Sequence, residues 1–189
     1  MKQPGVDPKR IALMGISLGG VLAPRAAAFE KRLAALIAND GVYDFSTVFC
    51  SAVPPEKWEP FVRALTAESA PQIDELLERL AKTSPTMRWS QSHGMWATGT
   101  ASPRALLAKA LDYNLRNGVA EKIGCPTLVC EAENDLFFKG QAQALYDHLT
   151  CRKTLVRFTT AEGAGAHCQV GASRLAFARM FDWLDETLA

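Results

Sequence analysis

The chain has 189 residues, 48% of them hydrophobic, and a formal net charge of +1. That is enough chain to bury one good core, and one domain is the default expectation. The balanced charge, with no block of one sign, argues against nucleic acid or an anionic surface as a partner, and no stretch approaches the ~18 consecutive apolar residues that a membrane helix needs.

The first residues, Met1-Lys2-Gln3-Pro4-Gly5, hold no apolar run of the kind a signal peptide requires, so the cytoplasm is the expected location. The five cysteines, Cys50, Cys125, Cys130, Cys151 and Cys168, are odd in number and include no Cys-x-x-Cys pair. They suit neither a disulfide framework nor a zinc site and read as reduced, mostly packing thiols; Cys168 stands out only for its neighbour His167.

In chain order, Val6-Asp7-Pro8-Lys9 predicts a turn, because Pro8 keeps its predecessor out of the helical region. Arg10–Met14 has the length of a buried strand. Gly15-Ile16-Ser17-Leu18-Gly19-Gly20 follows, then an Ala-rich helix over Val21–Lys31 and a second apolar run, Leu33–Ala38, closed by Asn39-Asp40-Gly41. Strand, helix, strand implies a parallel sheet with a helix on its face. Beyond Phe45 no buried strand is evident until about Gly118. Helices are predicted over Ala70–Lys82 and Pro103–Leu115, and Trp58, Trp89 and Trp96 all fall in this segment. The alternation then resumes with a strand at Pro126–Ala132, a helix at Gly140–Leu149 and a strand at Lys153–Phe158. A Gly-rich loop leads to a closing helix at Ala172–Leu188, whose Leu175, Phe177, Met180, Phe181 and Leu184 form one apolar stripe. The organisation expected is an αβ core over 1–45, a helical cap over 46–118 and a return to the core over 119–189.

Gly15-x-Ser17-x-Gly19 is a modest signal alone, but here it lies between an apolar strand and an Ala-rich helix, the setting of a nucleophile elbow. A tight strand-to-helix turn holds the serine in a strained conformation, and small neighbours avoid clashes. The hydroxyl then projects past the sheet edge beside a helix N-terminus that favours an anion, and the Leu18 amide is the natural first oxyanion donor. A serine nucleophile needs a base, and the base needs an orienting carboxylate. Asp135, just after the strand 126–132, is best placed for the carboxylate, with Glu131 and Glu133 as rivals. Of the three histidines, His148 falls on a surface helix and His93 in a cap loop. His167 follows the last strand in Gly163-Ala164-Gly165-Ala166-His167 and is the expected base. Tyr43 and Asp44, past the second strand, are candidates for a pocket wall. Trp89, Met95 and Trp96 either line an apolar substrate pocket or pack the cap's own core.

The order Ser17, Asp135, His167 matches the α/β-hydrolase arrangement, and the segments 10–45 and 122–188 resemble that superfamily. More narrowly, three phrases resemble dipeptidyl-aminopeptidase and acylaminoacyl-peptidase-like hydrolases, a group similar to 2,6-dihydroxypseudooxynicotine hydrolase and the fermentation–respiration-switch esterases. They are Leu13-Met14-Gly15-Ile16-Ser17-Leu18-Gly19-Gly20, Asn39-Asp40-Gly41-Val42-Tyr43-Asp44 and Glu162-Gly163-Ala164-Gly165-Ala166-His167-Cys168-Gln169. The resemblance implies a three-layer α/β-hydrolase fold with a helical cap insertion. It also implies acyl transfer on an ester, amide or activated ketone of a small-molecule substrate, with no metal or organic cofactor. A peptidase rests on the group's usual label only.

The resemblance starts late. The full fold carries several strands before its nucleophile, including the loop that donates the second oxyanion amide. Here few residues precede Ser17, so the fold is expected to be truncated before the nucleophile strand, with Met1 either an internal methionine or an alternative start. The strand at 10–14 then becomes an apolar edge open to self-association. The alternative to an enzyme is a weak or silent truncated hydrolase that serves as a binding or assembly module.

Overall fold

The structure, a computed structural model, describes residues 4–50 and 53–189, with the side chains of residues 49 and 50 left out. The Cys50 thiol and the residues Met1–Gln3 therefore lie outside the described part. The chain divides into two compact units, one formed by residues 4–45 and 114–189 and the other by 46–113.

The first unit is built on four strands, β1 (Ala12–Ile16), β2 (Ala35–Asn39), β3 (Thr127–Ala132) and β4 (Lys153–Phe158), all parallel and lying side by side in chain order. The register pairs Ile16 with Asn39 and Asn39 with Cys130, so the strands end along one common edge. Every residue of β2 is buried, as expected of a parallel strand covered on both faces. Among the described residues β1 pairs with β2 alone, which leaves it at the sheet's margin.

Helix α1 (Gly19–Phe29) buries Val21, Ala23, Ala27 and Ala28, small side chains that let it lie close to the sheet. The closing helix, α8 (Ser173–Leu188), joins a core cluster through Ala176 and Met180 with Ile37, Leu128, Cys130, Phe158 and Ala164. The stripe expected on α8 is thus rotated: Leu175, Phe177 and Leu184 are half-buried at its flank, while Phe181 is 49% exposed and stacks on Phe177. Helix α7 (Gln141–His148) packs beside β3 and β4 and buries Ala142 and Leu145. The chain leaves and re-enters this unit at a clip in which Asp44 bridges to Asn114 and the Leu115 amide donates to the Tyr43 carbonyl at 2.8 Å.

The second unit is helical: α2 (Thr47–Cys50), α3 (Pro55–Thr66), α4 (Pro71–Thr83), α5 (Pro85–Thr98) and α6 (Pro103–Ala110). From α3 onward each helix opens on a proline, whose missing N–H costs nothing in the first turn. Ser84 and Ser102 cap α5 and α6 by accepting from the Met87 and Ala105 amides, at 3.3 and 3.1 Å. Leu65, Leu77 and Leu107 form its core, with Phe61, Ile73 and Ala108 against them. The Arg104 guanidinium clasps Asp74 at 3.0 Å and the Leu65 and Ala67 carbonyls. Sequence reasoning missed α3 and α5. It also placed His93 in a loop; the residue lies on α5, its ring stacked on Trp89 at 5.4 Å. No helix among the described residues is long and apolar enough to cross a membrane.

Candidate active site

Four chain segments leave the same edge of the sheet, one after each strand. After β1, Ser17 takes a φ of 58°, a left-handed conformation unusual for a residue with a side chain. The turn is fastened on both sides: the Ser17 amide donates to the Asn39 carbonyl at 3.1 Å, and the Gly20 amide donates to the Ser17 carbonyl at 2.7 Å. Close approach dictates the glycines. A β-carbon on Gly15 would sit 1.9 Å from the Gly19 carbonyl oxygen, and one on Gly20 would sit 2.1 Å from that of Asp40. Leu18 directly precedes α1, so its amide has no partner within the helix by position.

After β3 the chain turns at once, and Asp135 lands buried, its side chain 4% exposed. Its Oδ1 accepts from the Phe137 and Phe138 amides at 2.7 and 3.0 Å, leaving Oδ2 for His167. Of its rivals, Glu131 pairs with Arg157 at 2.9 Å and Glu133 accepts from the Thr160 amide at 2.8 Å, so neither points its carboxylate at the imidazole.

After β4 a loop carries His167. The Asn134 amide donates to the Gly165 carbonyl at 2.8 Å and ties this loop to the one bearing Asp135. His167 Nε2 lies 2.9 Å from Ser17 Oγ, and Nδ1 lies 2.8 Å from Asp135 Oδ2. The Phe137 and Phe138 rings meet the imidazole edge-on, with centroids 5.0 and 5.3 Å away, and fix its plane. Serine and histidine are 150 residues apart along the chain, histidine and carboxylate 32, yet the three form one hydrogen-bonded line.

Sequence reasoning did not single out Asp40, which directly follows β2. It is buried, takes a positive φ, and its Oδ2 lies 2.9 Å from His167 Nδ1. It also accepts from the Cys168 amide and from Gln169 Nε2, the latter at 3.1 Å. Cys168 and Gln169 both take positive φ, 52° and 51°. Such conformations cost about 1–3 kcal/mol each and persist only where the surroundings hold them. The usable signal is an acidic residue at the end of the strand adjoining the one that leads to Ser17, which by itself reads as the turn closing that strand. Phe137 and Phe138 were missed too, since nothing in a Leu-Phe-Phe run marks it as a wall for a histidine.

The electrostatics follow from this geometry. Burial pulls the His167 pKa down, but hydrogen bonds to Asp135, Asp40 and Cys168 outweigh it and lift the imidazole from 6.5 to about 11. Burial raises the Asp135 carboxyl, yet the imidazole and the two amides win and its pKa falls below the usual value. The ligand atoms of Asp40, His167 and Cys168 lie within 4.8 Å of one another. Carboxylates only accept, so a proton on the imidazole nitrogen between them satisfies both.

The other candidates make contacts of their own. Tyr43 stacks on His148 with centroids 4.2 Å apart, and His148 Nδ1 is 2.9 Å from Glu121. Asp44 is buried and pairs with Arg116 at 3.3 Å, while its amide donates to Gln141 Oε1 at 2.8 Å. Trp89, Met95 and Trp96 lie on α5 of the helical unit, with Trp89 and Trp96 59% and 80% exposed.

A parallel sheet whose strand ends present a serine on a strained turn, a histidine and buried carboxylates is the arrangement of the α/β-hydrolase fold. Residues 2–179 match the Alpha/beta hydrolase family, and the chain belongs to that family. Among curated proteins, the hydrolase LUC6 of a Fusarium species is 31% identical over 188 residues, covering 96% of this chain and 44% of the relative. The 20-hydroxy-prefusarin hydrolase FUS2 of Gibberella moniliformis is 29% identical over 190 residues, covering 97% and 45%. The chain thus spans less than half the length of these relatives. In fold it is similar to the alpha/beta hydrolase GrgF from Penicillium sp. sh18 (TM-score 0.61, 18% identity, 99% of this chain and 67% of that one). It is also similar to the 2,6-dihydroxy-pseudo-oxynicotine hydrolase (TM-score 0.53, 24% identity, 100% and 43%).

Proposed function

We propose that this hydrolase is serine-dependent and cleaves a carboxylic ester, amide or activated ketone of a small organic molecule through a Ser17–His167–Asp135 triad. The observation that supports this most is the continuous line Ser17 Oγ to His167 Nε2 at 2.9 Å and His167 Nδ1 to Asp135 Oδ2 at 2.8 Å. Ser17 Oγ attacks the substrate carbonyl while His167 Nε2 takes its proton. The imidazolium so formed is the state that the neighbouring carboxylates favour, and it then protonates the leaving group. The Leu18 amide, at the head of α1, donates to the developing oxyanion. Water attacks the acyl-enzyme, with His167 as base again, and frees Ser17. On a β-diketone-like substrate the same groups would release a carbanion.

The relative FUS2 is named for 20-hydroxy-prefusarin, so small organic molecules are the first substrates to screen. The reading includes a cytoplasmic setting, and Tyr43, Asp44, Trp89, Met95 and Trp96 as residues to vary once a substrate is in hand. The test is labelling by a fluorophosphonate probe of the parent, Ser17→Ala and His167→Ala. Labelling of the parent that both substitutions abolish is the expected result. A folded parent that does not label would overturn the reading in favour of a silent hydrolase serving as a binding module.

A further inference from the structure

We propose that His167 is served by two carboxylates, and that Asp40 is a second positioning residue which shares the Nδ1 proton with Asp135 and holds the imidazole in the productive tautomer when Asp135 is lost. The proposal rests on the triad reading above but assigns to Asp40 a role that reading does not require.

The two distances are nearly equal, with the hydrogen bond made to Asp135 and Asp40 at ion-pair distance from the same nitrogen. Asp40 Oδ2 and Asp135 Oδ2 lie 2.9 and 2.8 Å from the same nitrogen, and both side chains are buried, 1% and 4% exposed. A buried carboxylate persists only where donors surround it. Asp40 has three: the Cys168 amide, Gln169 Nε2 and the imidazole itself. Among the described residues neither carboxylate has an arginine or lysine partner, so the imidazole is the one cationic group they can share. The groups facing His167 are Asp40 after β2, Asp135 after β3, the Ser17 hydroxyl after β1, the adjoining Cys168 thiol, and the uncharged rings of Phe137 and Phe138.

What Asp40 does to the loop separates it from a bystander. By accepting from Cys168 and Gln169 it holds two successive left-handed residues directly after His167. It thereby aims the imidazole and fixes its proton at once. Where a single acid does this work, replacing it with asparagine leaves the geometry but yields the wrong tautomer, and the rate falls about 10⁴-fold. With Asp40 still accepting from Nδ1–H, that tautomer is not available to the mutant.

The experiment compares Asp135→Asn, Asp40→Asn and the double variant by two readouts: the rate of fluorophosphonate labelling across pH, and the titration of the His167 imidazole followed by NMR. Expected is a fall of roughly 10–10² in labelling for Asp135→Asn and about 10⁴ for the double variant, because residues that act as a unit are strongly non-additive. Each single substitution should also shift the imidazole midpoint, and with it the acidic limb of the labelling profile, to lower pH. Asp135→Asn as slow as the double variant would overturn the proposal, as would an imidazole midpoint unmoved in Asp40→Asn, the result of a purely structural anchor. If Asp40→Asn does not fold, the labelling rate of Asp135→Asn alone decides, within about 10² of the parent or near 10⁴ below it. If no variant labels, parent included, the serine-hydrolase reading fails while the NMR midpoint still tests Asp40.

Discussion

The two glycines that flank Ser17 in the motif are not equivalent, and alanine substitutions should separate them. On Gly15 a β-carbon would meet the Gly19 carbonyl oxygen at 1.9 Å and the Ala23 β-carbon at 2.6 Å. Non-bonded carbon atoms settle at about 3.5 Å, so against the Ala23 β-carbon alone a gap of about 1 Å has to open. Both obstacles belong to α1, one of them to its backbone, so no side-chain rotation relieves the clash and the first turn of α1 must lift from β1. Overpacking of this kind costs about 1–3 kcal/mol. The turn that moves carries Ser17 and Leu18, and a misplacement of about 1 Å can cost about 10² in rate. Gly19, by contrast, has nothing within 4 Å of its would-be β-carbon. Gly19→Ala should hold the parent's stability and label within a few-fold of its rate. The assay pairs urea denaturation followed by circular dichroism with the second-order rate of fluorophosphonate labelling. A Gly15→Ala variant indistinguishable from the parent in both, or a Gly19→Ala variant equally damaged, would refute the argument from close approach.

Four further predictions concern charge, the helical unit and the sheet margin. Because His167 titrates at about 11 rather than 6.5, the neutral base is scarce at pH 7 and labelling should climb with pH through 8 to 10; a plateau reached below pH 7 would contradict this. The same raised pKa means the protonated imidazole stabilises the fold fully below pH 6.5, a contribution lost as pH rises through about 11, so urea midpoints should fall across that window and His167→Ala should flatten the trend. Arg104→Ala leaves the Leu65 and Ala67 carbonyls and Asp74 without their shared donor and should cost about 1–3 kcal/mol in the helical unit; an unchanged denaturation midpoint would show the clasp to be idle. β1 pairs with β2 alone among the described residues, so sedimentation velocity should show mass rising with concentration as margins pair, whereas a monomer at every concentration would refute that.

Where a segment's own chemistry decides its structure, the sequence is readable. Lys153–Phe158 is expected as a strand and is β4 over the same residues, and the helix expected at 172–188 is α8 to within a residue. The expected first strand ends two residues early because Gly15-Ile16 looks like the start of a turn. In an elbow the strand runs straight up to the serine, and the pairing of Ile16 with Asn39 keeps it extended. α3 and α5 escape notice for a different reason. Both open on a proline, as α4 and α6 do, but α3 has a second at Pro60 and α5 has Gly94 within it, and these interior residues read as breakers along the chain. A proline in the first helical turn breaks nothing. The Leu106 side chain lies 2.7 Å from where a β-carbon on Gly94 would be, so that glycine is there for helix packing.

The candidate site shows the same division at finer scale. Ser17 and His167 are legible because each lies in a phrase whose glycines betray a constrained backbone. Asp135 is legible only by its place after a strand, and what excludes Glu131 and Glu133 is their engagement by Arg157 and Thr160, partners that the sheet's register brings near. Asp40 is illegible because Asn-Asp-Gly after an apolar run has an adequate local explanation as a turn. Its contacts with Cys168 and Gln169 span 128 and 129 residues and come into being only when β2, β3 and β4 lie side by side. A parallel sheet lines up its strand ends along one edge, so an acidic residue just past a strand can stand beside His167 without any motif to mark it. Asp40 does so, closing the turn after β2 with its carboxylate 2.9 Å from His167 Nδ1, whereas Glu133, directly after β3, is held by Thr160 instead.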